Sequence, residues 1–125
     1  MSGFGFNIGG SSGAHIYDIY GTFIGKPTDG LEMLYVPIAR TVTFPAGLTG
    51  SLMKAKTTAT SEAVFSLRKN GVEFGTATFA ASGTAATFAA TAETVFSAGD
   101  ELTIVAPATA DATIAGLGWA IVGTR

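Results

Sequence analysis

Nucleophilic catalysis by serine or cysteine needs a base beside the nucleophile, and histidine is the usual one. The chain has a single histidine, His15, and no cysteine. A Ser-His-Asp or histidine–metal constellation therefore has one candidate centre, and thiolate metal sites and disulfides are excluded. His15 follows a glycine-rich stretch, where a lone histidine is ordinarily a surface or packing residue. We predict no catalytic residue, no cofactor and no metal site.

The acidic residues do not form a pattern typical of a site. None lies in the spaced Asp/Asn loop that binds calcium, and nothing indicates the carboxylate pair of a glycosidase. Asp29 and Asp100 each stand beside glycine in a predicted turn, where a carboxylate accepts hydrogen bonds from backbone amides. The acids are Asp18, Asp29, Glu32, Glu62, Glu73, Glu93, Asp100, Glu101 and Asp111.

Aromatic side chains are the other candidates for a binding surface. Tyr17, Tyr20 and Phe23 lie in one apolar stretch, and protein interfaces are enriched in aromatic residues. We predict that they dock a partner. Trp119 alternates with other apolar residues, which favours the core over a sugar-stacking platform. Tyr35 is a second candidate for such a platform.

Residues 1–13 form a glycine-rich arm with Phe4, Phe6 and Ile8 at period two. Glycine loses the most backbone entropy on ordering, and the arm offers only these three side chains for burial. One interpretation is a disordered end. The other is an arm that docks Phe4, Phe6 and Ile8 on a neighbouring subunit, and these residues are our further partner-docking candidates.

Composition narrows the classes of partner. The 125 residues carry a net charge of −2 and only 13% are charged, which supplies no footprint for nucleic acid or an anionic membrane. The start lacks the pattern of a signal peptide, and no apolar run reaches the roughly 18 residues of a membrane helix. We expect synthesis in a cytoplasm. Low charge favours a homo-oligomer, with a weakly charged monomer as the alternative.

The hairpin around Asn70-Gly71 is the strongest structural signal. Asn-Gly favours a two-residue type I′ turn, because both central residues need positive φ. That turn places Leu67 opposite Phe74, on one face. The later apolar residues have the opposite parity, so we predict a β-bulge at Gly75-Thr76.

Short strands separated by glycine turns continue along the chain and predict an all-β fold. We expect an antiparallel, jelly-roll-like β-sandwich over residues 14–125, preceded by the extended arm 1–13, with at most one helical turn. Pro37 should lie at a sheet edge or a break. The predicted inner layer comprises Val42, Phe44, Phe65, Leu67, Phe79, Phe88, Leu102, Ile104, Trp119 and Ile121.

Several turn and strand motifs over residues 25–125 resemble a small β module of tailed-bacteriophage and prophage virion surface proteins. They are Ala39–Leu48, Phe65–Gly71, Gly75-Thr76, Ala98–Asp100 and Ala106–Asp111. The resemblance implies a structural or attachment role on the virion and brings no catalytic residue. The arm lies outside the matching part.

The leading hypothesis is a non-enzymatic virion component that decorates the capsid or forms part of a tail fibre. Its expected partners are other virion proteins and further copies of itself, a trimer being one arrangement, with a host surface glycan as an additional ligand. The expected location is the virion, after synthesis in the host bacterial cytoplasm. The alternative is a carbohydrate-binding module with exposed aromatics, which burial of Trp119 would count against.

Overall fold

The computed structural model describes residues 15–125, so the predictions for Phe4, Phe6 and Ile8 lie outside the described residues. The only helical element in that range is a short 3-10 turn at Ala46–Leu48. The strands are β1 (Ile19–Phe23), β2 (Glu32–Pro37), β3 (Val42–Phe44), β4 (Leu52–Thr57), β5 (Ala63–Lys69), β6 (Val72–Phe79), β7 (Thr87–Ala89), β8 (Thr94–Phe96), β9 (Glu101–Val105) and β10 (Ala115–Ile121).

The strands form antiparallel sheets that pack together, which confirms the predicted all-β sandwich. A five-stranded sheet has the order β2-β9-β5-β6-β7, a three-stranded sheet has the order β1-β10-β4, and β3 pairs with β8. Alternate residues of each sheet face the shared interior, as expected when one face of an antiparallel sheet is buried.

The pairings nest around the β5–β6 hairpin. Outward from it, β4 bonds to the segment before β7, where the Ala55 amide donates to Thr84 O at 3.0 Å and the Ala86 amide donates to Met53 O at 2.9 Å. Next come β3 with β8, β2 with β9 and β1 with β10. This is the order of one long hairpin rolled up into two sheets, as in a jelly roll.

The central turn is as predicted. Asn70 and Gly71 both have positive φ, 50° and 85°, and Lys69 pairs with Val72. Leu67 is buried and Phe74 packs against the same core. Asn70-Gly71 therefore closes the two-residue turn that a right-twisted hairpin prefers.

The bulge is present but lies one residue earlier than predicted. Arg68 pairs with Glu73 and Leu67 pairs with Gly75, so Phe74 is the extra residue and the expected Leu67–Phe74 pairing is wrong. A Cβ on Gly75 would lie 2.8 Å from Leu48 Cδ1 and 3.1 Å from the Ala89 carbonyl oxygen. Because Gly75 has no side chain, Leu48 fills the space beside it, and the bulge turns the neighbouring Phe74 toward the core.

Edge-to-face aromatic contacts fill the interior. Phe65 and Phe79 lie 5.7 Å apart between ring centroids, and Phe44 and Phe96 lie 5.2 Å apart. Phe74 joins the second pair at 5.4 Å from Phe96. These geometries are the favourable ones for aromatic rings. Nine of the ten predicted inner residues are buried: Val42, Phe44, Phe65, Leu67, Phe79, Leu102, Ile104, Trp119 and Ile121.

The two edge strands of the five-stranded sheet explain the remaining predictions. Pro37 ends β2, which is an edge strand as predicted, where a missing backbone N–H costs no ladder bond. Phe88 was predicted to be buried, and this is wrong: it is half-buried in the three-residue edge strand β7. An edge strand has a neighbour on one side only, so its side chain stays partly open.

No helix within residues 15–125 has both the length and the apolar character needed to cross a membrane.

The two phenylalanines should therefore differ in their contribution to stability. We expect Phe79→Ala to lower the free energy of unfolding by about 3–5 kcal/mol, because a fully buried ring leaves a cavity. Phe88→Ala should cost clearly less, because much of its ring already contacts water. Urea unfolding of both variants measures the difference. Equal losses would show that Phe88 is as deeply packed as Phe79.

Candidate functional site

The outer face of the three-stranded sheet carries three rows of side chains. In the first row, Tyr20, Ala120 and Leu52 are register partners across β1, β10 and β4. The same register places Thr22, Gly118 and Lys54 in the second row. The third row lies beyond the paired residues of β1 and contains Ile24, Gly116 and Lys56, which line one cavity. There the Gly116 amide donates to Gly25 O at 3.2 Å, and Gly116 lies against Lys56.

These rows form a groove, because the central strand contributes only small residues. Ala120, Gly118 and Gly116 make the floor, and the longer side chains of β1 and β4 make the walls. A Cβ on Gly118 would meet only Gly21 O, at 3.9 Å. Where the groove is deepest, between Thr22–Ile24, Lys56 and Gly116–Gly118, a cavity of about 380 Å³ opens. We call this surface the β10 groove.

The groove's first wall is strongly apolar and open to solvent. Tyr20 on β1 is 70% exposed and Ile24, the residue after β1, is 92% exposed, while Leu52 on the opposite wall is 59% exposed. With Ile16, just before β1, they account for four of the eight large apolar side chains exposed in residues 15–125. Exposed apolar side chains grouped as Tyr20, Ile24 and Leu52 are here are typical of an interaction surface.

The three predicted docking residues in and before β1, Tyr17, Tyr20 and Phe23, do not all face the same way. Tyr20 presents its ring on the groove wall and donates a 3.1 Å hydrogen bond to Asp18, which raises the pKa of the phenol. Tyr17 and Phe23 are half-buried and pack against the core. The residues that sequence reasoning missed are Leu52 and the glycine floor, because alternation does not reveal which outer face has a groove.

The residues examined for catalysis stay apart. His15 is exposed and is held through backbone hydrogen bonds to Arg125. Within residues 15–125, no group of three or more His, Cys, Asp or Glu side chains is arranged to hold a metal ion.

The basic pair at the hairpin tip is bound to the protein itself. Lys69 Nζ donates to Val95 O at 2.7 Å and lies 5.6 Å from the Phe96 ring centroid. Arg68 Nε donates to Ser66 Oγ at 3.0 Å. These contacts hold both basic side chains against the hairpin tip.

Trp119 is a core residue, as predicted. Its side chain is 5% exposed and lies against Gly21, where an added Cβ would come within 2.6 Å of the indole. This burial counts against a sugar-stacking role for Trp119.

Tyr35 is the exposed aromatic residue of the five-stranded sheet. It is 54% exposed, and its hydroxyl donates a 2.6 Å hydrogen bond to Glu101 Oε2. That bond raises the pKa of the phenol, with smaller effects from burial and from the charges of Glu101 and Glu32. The register puts Tyr35, Thr103 and Arg68 in one row on the outer face. This second surface is polar, and the ring of Tyr35 is exposed on it.

Asp111 joins two distant loops through its carboxylate. Oδ2 accepts hydrogen bonds from the amide and hydroxyl of Thr60, at 3.0 and 2.8 Å, and of Ser61, at 3.1 and 3.2 Å. Oδ1 accepts from the Thr113 amide and hydroxyl, at 2.8 and 2.7 Å, and from the Ile114 amide at 3.1 Å. The bonds from Thr113, then those from Thr60 and Ser61, hold the pKa of Asp111 well below its ordinary value against the opposing effect of burial.

A shallow groove of about 470 Å³ borders this brace, lined by Lys26–Asp29 and Ala110–Ala112. Asp29 Oδ1 accepts a 2.8 Å hydrogen bond from the Ala110 amide. The carboxylate nearest the interior, Asp111, is fully occupied by protein donors. The groove therefore lies where the loop at Lys26–Asp29 meets the loop at Ala110–Ala112, and hydrogen bonds hold both loops in place.

The brace predicts a specific pH dependence of stability. Because the folded pKa of Asp111 lies below the unfolded value of about 3.9, its contribution is complete above about pH 4 and declines as the pH falls further. Asp111→Asn should melt at a clearly lower temperature than wild type at pH 7, and the gap should narrow below about pH 4. Melting curves between pH 7 and pH 2 measure this gap. Asp29→Asn, which removes the charge but keeps a side-chain oxygen that can accept from the Ala110 amide, is the matched control. A gap independent of pH would contradict the prediction.

Comparison of the chain with protein-family models, curated proteins and solved structures gave no match.

Proposed function

We propose that the protein is a non-enzymatic structural subunit of a tailed-bacteriophage particle, a β-sandwich that decorates the capsid or forms part of a tail fibre. The observation that carries the proposal is the β10 groove, with Tyr20, Ile24 and Leu52 exposed on one sheet. Burying a large apolar side chain contributes about 1.5–3 kcal/mol, so this face gains most when another molecule covers it.

The motif residues behind the phage resemblance support the same proposal, because their side chains stabilise the fold. Asn70 bonds to Asp100 at 3.1 Å and accepts from the Glu101 amide at 2.9 Å. Asp111 braces two loops. A module defined by residues of this kind is a scaffold whose exposed faces are left for contacts with neighbours.

Immunogold electron microscopy tests the proposal directly. Particles purified from cells that produce the protein should be labelled by antibodies against it, on the capsid or the tail. Particles that carry no label would overturn the proposed location.

The groove face should be needed for incorporation into the particle. We expect the Tyr20→Ser, Leu52→Ser double variant to melt like wild type, since both side chains are largely exposed, yet to lose at least about tenfold in particle-bound protein. Quantitative immunoblotting of purified particles measures the bound fraction. Val72→Ser is the matched control, because Val72 is also 70% exposed but lies at the hairpin tip. Equal incorporation of the double variant and the control would contradict the role of this face.

A carbohydrate-binding role is the second candidate, and the surface around Tyr35 favours it. An exposed ring stacks on the apolar face of a sugar, while Glu101, Glu32 and Arg68 offer polar groups for its hydroxyls. The 2.6 Å bond to Glu101 fixes the phenol on the sheet.

This candidate function predicts glycan binding that depends on Tyr35. On an array of bacterial surface oligosaccharides, wild type should bind at least one glycan, and Tyr35→Ala should reduce that binding by about tenfold or more, since one stacking contact is lost. Tyr20→Ala, an exposed tyrosine on the other sheet, serves as the control. Absence of binding by wild type, or equal loss in both variants, would reject a glycan site at Tyr35.

A further inference from the structure

We propose that the β10 groove receives the segment Phe4–Ile8 from a second copy of this chain. The inference rests on the proposed assembly function and names the partner of that surface. Four properties of the groove support it: the spacing of its rows, the small residues of its floor, the chemistry of its walls and its distance from residue 15.

The spacing of the rows matches that of the segment. Neighbouring rows are two residues apart on each strand, which is about 6.6–6.8 Å. Phe4, Phe6 and Ile8 are also two residues apart, so an extended segment would present one apolar side chain to each row. Gly5 and Asn7, between them, would face away from the floor.

The glycine floor gives those side chains room. Gly118 has open space above it, and its neighbour in the first row, Ala120, carries only a methyl group. At Gly116 the stem of Lys56 already lies against the backbone, so a side chain docked in the third row would pack on that stem. A phenyl ring can therefore lie directly on the backbone of β10 between the two walls. The same face with larger central residues would present a closed surface.

The chemistry of the walls also fits. Residues 1–14 contain no charged side chain, so the segment brings nothing that the apolar wall at Tyr20 and Ile24 would repel. The other wall contains Lys54 and Lys56, whose aliphatic stems cover apolar groups while the ammonium ends stay in water. A lysine ammonium over a phenyl ring is itself favourable, as for Lys69 and Phe96 in this fold.

The reach of the segment indicates a second copy. His15 exchanges backbone hydrogen bonds with Arg125 and stands five residues before Tyr20, about 17 Å beyond the first row. Residues 9–14 join Ile8 to His15, and the path from Ile8 to His15 spans about 23 Å when fully extended. Docking in its own groove would require the chain to reverse its direction before His15 and to climb onto the sheet, covering at least about 17 Å of the available 23 Å or so. A neighbouring groove imposes no such reversal.

Photo-cross-linking in the full chain tests the proposal. The photoreactive amino acid p-benzoylphenylalanine replaces Phe6 and keeps an aromatic ring at that position. Equal amounts of this chain and of ¹⁵N-labelled wild type are mixed, irradiated and analysed by mass spectrometry. We expect cross-links from unlabelled to labelled chains, mapped to β1, β4 and β10 around Thr22, Lys54 and Gly118. Cross-links that lie only within single chains, or that map elsewhere, would overturn the proposal.

A variant that fills the groove tests the proposal a second time, with a matched control on another strand. Gly118→Val adds a side chain where a Cβ meets no close neighbour, so the fold should persist while the floor is blocked. The cross-link should fall at least tenfold in Gly118→Val and stay unchanged in Thr87→Val, an exposed position on β7. An unchanged cross-link in folded Gly118→Val would overturn the proposal.

A competition experiment gives the same answer without altering the groove. A synthetic peptide of residues 1–10, added in excess to the wild-type mixture, should suppress the cross-link, and a peptide with serine at positions 4, 6 and 8 should not. Equal effects of the two peptides would overturn the proposal. If the segment fails these tests while Tyr20→Ser, Leu52→Ser still loses particle incorporation, the proposed function stands and another partner covers the groove.

Discussion

The hydrogen bonds of Asn70 set the register on which the rest of the fold depends. Its amide donates to Glu101 O at 2.9 Å, its side-chain oxygen accepts from the Glu101 amide at 2.9 Å, and its side-chain nitrogen donates to Asp100 at 3.1 Å. These bonds join the β5–β6 turn to the start of β9, and they hold Leu67 opposite Ile104. A slip of one residue would turn both side chains to the solvent. Because the pairings nest around this hairpin, the strands outside it inherit its alignment.

Much of the fold follows from local sequence. The Asn-Gly turn, the alternation around Trp119 and the position of Pro37 could be predicted because each depends on a few neighbouring residues. The bulge lies one residue before its predicted position because the space beside Gly75 is filled by Leu48, a residue distant in sequence. The burial of Phe88 was overestimated because alternation does not show that β7 is a short edge strand.

The surfaces could be predicted less well than the core, for a physical reason. Asp111 finds its donors Thr60 and Ser61 about 50 residues away along the chain, and no local pattern joins them. Tyr20 was predicted to dock a partner because its stretch is aromatic. Leu52 and Gly118 were not, because they become neighbours of Tyr20 only when β4, β10 and β1 align.

The two sheets present different outer faces. On the five-stranded sheet, side chains bond to one another, as where Ser66 donates to Glu73 at 2.8 Å and Arg68 donates to Ser66. Apart from the exposed ring of Tyr35, the polar side chains of this face thus bond largely to one another. On the outer face of the three-stranded sheet, the central strand presents only Gly116, Gly118 and Ala120, and the side chains of the two walls are exposed. The three-stranded sheet therefore leaves apolar side chains and the stems of Lys54 and Lys56 open for contact.

The pairing of His15 with Arg125 places the two ends of the described chain side by side. Residues 15 and 125 therefore lie next to each other at one place on the sandwich. A fold with adjacent ends can be spliced into a loop of a larger protein without forcing that loop apart, since the host chain enters and exits at almost the same place. The sandwich therefore has the geometry of a domain that can be inserted into a loop of another protein.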